Sequence, residues 1–189
     1  METITRTYEV YKFSELSEEA REKALIQLYD INVFHDWYRD ELDYYASQWE
    51  EEYGITFKPE DVCFDLDNRR SLYFHGSNIE VVDQNKFIKY HKLGRQLRYR
   101  EVRFDFDTHY YGGGDGRTSL EMTVYDDDDI KQRPELDLPV DFDDWFRSIC
   151  EDLISDLRKQ YEYMTSEEAI IETIEINDYG FTEDGELFS

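Results

Sequence analysis

The sequence predicts an α+β fold: a single domain over residues 1–189, with an antiparallel sheet of about five strands packed with three to four helices. Three observations lead there. Apolar residues make up 40% of the chain and aromatics 16%, enough for a packed core beneath a highly charged exterior. Several stretches repeat apolar residues every three or four positions, as one face of a helix does. Others alternate apolar and polar residues, as half-buried strands do. At 189 residues the chain suffices for one sizeable core, and it has no low-complexity linker or long repeat to mark a boundary.

The elements follow in order. TRTYEVYKF, residues 5–13, is rich in aromatic and β-branched residues and predicts a strand. SELSEEAREKALIQLYDIN predicts a helix capped by Ser17, with Glu18 and Glu19 at the positive end of its dipole. Its buried stripe is Ala20, Ala24, Leu25, Leu28 and Ile31. A second helix is expected from Phe34 to Tyr53, with Phe34, Tyr38, Leu42, Tyr45 and Trp49 inward and Gly54 as its stop. After Pro59, Val62, Phe64 and Leu66 alternate with Cys63, Asp65 and Asp67, and residues 67–70 turn that strand into a hairpin with Ser71–His75. Asp83 caps a short helix that Gly94 ends. LRYREVRFDFDTHYY predicts a long strand paired with SLEMTVY across GGGDGRT. The longest helix runs from about Asp141 to Tyr161, its stripe being Trp145, Ile149, Leu153, Leu157 and Tyr161. Ser166 caps a further helix, and a glycine-punctuated tail closes the chain.

Charge narrows the functional classes. The formal net charge is −25, from 46 acids against 21 bases. Such a chain repels phosphates, which argues against nucleic acid or an anionic membrane as the main partner and favours cations or proteins with basic clefts. No apolar run approaches a membrane span and the first residues hold no apolar signal core, so a cytoplasmic protein is expected. Cys63 and Cys150, far apart, read as free thiols.

Several clusters are candidate sites. If the FDLD and FDFD strands are neighbours, Asp65, Asp67, Asp105, Asp107 and His109 share one outer face. Four carboxylates and an imidazole suit Mg²⁺, Mn²⁺ or Ca²⁺, and through such a metal hydrolysis of a bound substrate. A sheet facing solvent produces the same alternation with no ligand, and that plainer reading is preferred. The glycine run lacks the following helix of a phosphate loop and reads as a hairpin tip beside Tyr110 and Tyr111. Asp126, Asp127, Asp128 and Asp129 lack the central glycine of an EF-hand and read as an acidic loop. Residues 86–103 reverse the trend, with seven bases to one acid and Phe87, Tyr90 and Tyr99 interleaved. That is the footprint of a nucleic-acid binder, or of a segment that pairs with the protein's own acids or with a second copy in a homodimer. There is no Ser-His-Asp signature, nucleophile elbow or zinc spacing, so no cofactor and no enzymatic activity are expected.

Three negative tracts remain. The outer face of the helix over 34–53 carries Asp40, Glu41 and Asp43 among its acids; residues 126–144 hold nine acids and two bases; residues 172–186 hold six acids and no base. A duplex presents regularly spaced negative charge on a rigid surface, and a folded protein with this charge can occupy a groove built for one.

Two stretches, YKFSELSEEAREKALIQLYDIN and IETIEINDYGFTEDGELF, resemble the opening and the close of small acidic accessory proteins of phages and prophages of Gram-positive bacteria. The resemblance implies an anti-defence role, anti-CRISPR proteins being among such accessory proteins, and it carries over no site residue. With the charge, it gives the expected function: a non-enzymatic inhibitor that binds the basic nucleic-acid-binding surface of a host CRISPR effector or other defence nuclease. Asp40, Glu41, Asp43, Asp105, Asp107, Tyr110, Tyr111 and Asp126–Asp129 are its expected contacts.

Overall fold

The computed structural model describes residues 7–66, 72–74, 79–95, 102–103, 108–111, 115–118, 123–125, 131–132 and 142–188. The class is α+β. Five α-helices are present among the described residues: α1 Glu18–Gln27, α2 Arg39–Tyr53, α3 Gln84–Tyr90, α4 Phe142–Met164 and α5 Glu167–Ile176. The strands are β1 Ile55–Phe57, β2 Val62–Phe64, β3 Leu72–Phe74, β4 Ile79–Val81, β5 Val102–Arg103, β6 Thr108–Tyr111, β7 Asp115–Thr118, β8 Thr123–Tyr125 and β9 Lys131–Gln132. All pairing among the described residues is antiparallel: β1 with β4, β2 with β3, β6 with β7, and β8 between β5 and β9. No ladder among the described residues exceeds three strands, where a sheet of about five was expected. The chain divides into two compact units, Met1–Trp37 with Lys159–Ser189, and Tyr38–Arg158.

The first unit joins the two ends of the chain. Its core is Phe13, Leu16, Ala20, Ala24, Leu28, Ile170, Ile174 and Phe181, so α1 and α5 bury facing stripes around the fully buried Phe181 ring. Both helices begin as their sequences dictate: Ser17 Oγ accepts from the Ala20 N–H at 3.2 Å and Ser166 Oγ from the Ala169 N–H at 3.3 Å. Asn32 ties the following turn down, accepting from Thr173 Oγ1 at 2.7 Å and donating to the Met164 carbonyl at 2.9 Å. The expected strand over 5–13 does not form among residues 7–13. Tyr11 makes a single bridge to Phe181, and a 3₁₀ turn, Phe13–Glu15, follows at once. Phe181 also bridges Leu187, so the tail turns back on itself and offers only a point of pairing.

The second unit is built on an aromatic core. Trp49 of α2 packs on Phe57 of β1 with ring centroids 4.8 Å apart, and Phe74 and Phe146 close the cluster. α2 begins at Arg39, five residues later than expected, and Phe34 is 80% exposed. The cause lies in the turn before it, where the Trp37 N–H reaches back to the His35 carbonyl at 2.6 Å, a closure incompatible with a continuing helix. Gly54 ends α2 at φ 76°; its carbonyl accepts from the Val82 and Asp83 N–H groups, both at 3.0 Å, so one residue joins α2, β1 and the start of α3. β1 and β4, which pattern alone did not mark, pair Ile55 with Val81 and Phe57 with Ile79.

The predicted hairpin of Val62–Phe64 with Leu72–Phe74 forms, in the register Val62 to Phe74. The second hairpin differs from expectation. Tyr110 pairs with Gly116 and Val102 with Val124, so both ladders are centred on position 113, and Gly116–Thr118 are strand rather than loop. α3 stops at Tyr90, before Gly94, because Lys92 takes a left-handed backbone at φ 58°. On α4 the buried residues are Phe142, Phe146, Ile149, Cys150, Leu153, Ile154 and Leu157. Trp145 and Tyr161 flank that face, since steps of four residues advance about 40° each and drift around the helix. Both cysteines are free.

Candidate acidic interaction surface

Within the second unit α2 and α4 meet through Tyr45, whose hydroxyl donates to Asp156 Oδ2 at 2.7 Å. The spacing of each helix sets what stands beside that bond. Glu41 lies one turn before Tyr45 on α2, and Asp152 one turn before Asp156 on α4. Burial raises the Glu41 carboxyl above its ordinary range, and the Asp156 charge raises it further. The Tyr45 phenol is pushed far up, first by burial and then by its bond to Asp156, with Glu41 and Asp152 adding to it. Tyr53, two turns along α2, is also raised, by burial and then by Glu52, Tyr90 and Asp152. Carboxylates from both helices thus act on these three groups.

Outside this seam, Asp40, Asp43, Glu50, Glu51 and Glu52 on α2 and Asp144, Glu151 and Asp152 on α4 are exposed. Asp144 pairs with Arg147 at 2.9 Å. The surface can accept hydrogen bonds from arginine and lysine side chains, and Tyr45 links the two helices that carry it.

Of the residues expected to make contacts, Asp40 and Asp43 are exposed on α2, and Glu41 is half-buried against Asp156. Tyr110 and Tyr111 end β6, with Gly116 and Asp115 as backbone partners. Asp105, Asp107 and Asp126–Asp129 lie outside the described residues. Of the metal set, Asp65 is exposed just after β2, the backbone of His109 pairs with that of Arg117, and Asp67, Asp105 and Asp107 lie outside the described residues. No three His, Cys, Asp or Glu side chains among the described residues gather to hold a metal ion. In the basic segment, Lys86 Nζ donates to the Glu50 carbonyl at 3.0 Å, at the negative end of α2. Phe87 is fully buried and so is no platform for a base, while Tyr90 packs on Tyr53 with centroids 4.8 Å apart.

Sequence reading missed Asp152, Asp156 and the bridging role of Tyr45. Their signal was present: Asp152 and Asp156 are four apart and immediately precede the buried Leu153 and Leu157, which places both at one edge of the α4 core face.

The first unit has a cleft of about 660 Å³, with Glu15, Glu19, Glu183 and Asp184 around Lys23. Lys23 is engaged there by Asp184 at 3.1 Å and Glu186 at 3.3 Å. No helix among the described residues is long and apolar enough to cross a membrane. No protein-family model, curated protein or solved structure matches the chain.

Proposed function

We propose that the protein is a non-enzymatic, phage-encoded acidic inhibitor that acts in the cytoplasm of an infected bacterium. It occupies the basic nucleic-acid-binding surface of a host defence complex, with a CRISPR effector as the foremost target. The observation that carries this reading is the α2–α4 surface. Both helices present exposed carboxylates, and the buried Tyr45 joins them by its hydrogen bond to Asp156. A protein with a net charge of −25 retains acids at this cost to stability when a partner reads them. Steering by such a field makes association fast and salt-sensitive. We further infer that the ladders join into one antiparallel sheet of about five strands, which the approach of β3 to β6 and β7 supports.

The test is capture of a purified CRISPR effector by the tagged protein, with nucleic acid as competitor, at low salt and at about 0.5 M, where the Debye length shrinks to a few ångströms. Capture at low salt, release at high salt and displacement by nucleic acid are expected. Asp40→Lys combined with Asp43→Lys should weaken binding at least about tenfold. Unchanged affinity removes α2 from the contact, and retention of nucleic acid by the protein itself replaces the proposal with a nucleic-acid-binding role for the basic segment.

A further inference from the structure

His91 is 4% exposed and stands as the flanking residue at the C-terminal end of α3. Its ring lies among four aromatic rings, with centroids at 4.4 Å to Phe87, 4.9 Å to Tyr90, 4.8 Å to Phe142 and 4.4 Å to Trp145. Among the described residues its Nε2 has no hydrogen-bond partner, and neither has Nε1 of the neighbouring Trp145. The next residue, Lys92, takes the left-handed backbone that side chains disfavour, so the chain is bent away from the helix where the histidine is anchored. A buried polar atom without a partner is destabilising, and a phenylalanine would fill such a shell without that loss. What a histidine adds is a proton gained in mildly acidic conditions.

We propose that His91 is a pH-sensitive latch: neutral, it pins α3 to the first turns of α4; protonated, it leaves its aromatic shell and frees α3. Among the described residues, an imidazolium has no anionic partner in that shell. α3 contributes Phe87 and Tyr90, and α4 contributes Phe142 and Trp145. Tyr53 of α2 touches both Tyr90 and Trp145. Burial raises the Tyr53 phenol, so it stays neutral throughout the relevant range. Of the charged side chains near this shell, Lys89, Lys92, Glu52, Asp144 and Arg147 are exposed, and Lys86 is bound to the Glu50 carbonyl. Asp143, next to Phe142, is the remaining acid on that turn of α4.

The direction of the pH effect follows from the ring's titration. Burial lowers the His91 pKa from 6.5 to about 4, so the folded protein binds this proton less well than an opened α3 does. The latch is fully effective above pH 6.5 and weakens as the pH falls toward about 4. The proposal is independent of any binding partner.

Amide hydrogen exchange over Phe87–His91, corrected for intrinsic rates, tests it between pH 7.5 and pH 5, above the pI of about 4.3. The opening constant of α3 should rise roughly 25-fold across that range in the wild type, and less than about threefold in His91→Phe or, if that variant does not fold, His91→Gln. The His91 ring, followed by nuclear magnetic resonance, should titrate well below 6.5. A ring that titrates at or above its ordinary value, held by cation–π attraction to its shell, would overturn the proposal. So would a wild-type opening constant that does not change with pH.

Discussion

At the residue scale, two glycines mark where the chain must pass close to itself. Gly185 has φ 85°, and a Cβ there would stand inside van der Waals contact of the Ala20 carbonyl oxygen, on the first helix of the unit to which both belong. Gly54 repeats the arrangement against the Asp83 carbonyl. Gly185→Ala therefore meets two penalties, a left-handed backbone and a backbone clash that no rotamer relieves. We expect it to destabilise the protein by about 2–4 kcal/mol in urea unfolding, the upper range of single-residue effects. A loss under about 0.5 kcal/mol would show that the tail does not hold this position against α1 in solution.

At the element scale, local chemistry accounts for the helix starts and longer-range packing for the rest. Ser17, Asp83 and Ser166 each accept an N–H three residues on, as their positions before apolar stripes imply. The ends obey other causes: α2 is delayed by the turn at His35–Trp37, and α3 is cut short by the bend at Lys92. The hairpin keeps its place while its register moves, because Gly116 and Arg117 pair with Tyr110 and His109 across β6–β7. The inferred joining of β3 to that hairpin belongs at this scale. Cross-strand contacts between Leu72–Phe74 and Asp115–Thr118 in nuclear Overhauser spectra should connect the ladders; their absence would leave separate two-stranded hairpins.

At the scale of the whole molecule, charge and core oppose each other. A net charge of −25 favours expansion, while an aromatic content of 16% holds the units compact. Screening should then stabilise the protein. The thermal midpoint should rise by several degrees as sodium chloride increases from about 0.02 to 0.3 M, where the Debye length falls below about 6 Å. A midpoint that is flat or falls with salt would mean that attractive pairs, such as those of Lys23 with Asp184 and Glu186, outweigh the repulsion. The sequence by itself determined the α+β class, the caps, the stop at Gly54, the hairpin of Val62 with Phe74 and the acidity of α2, since each is written within a few neighbouring residues. Tertiary structure alone decided the pairing of β1 with β4, the face of α4 that is buried, the meeting of Tyr45 with Asp156 and the enclosure of His91. These join residues far apart in the chain, and their partners are selected by packing in three dimensions, which local periodicity does not encode.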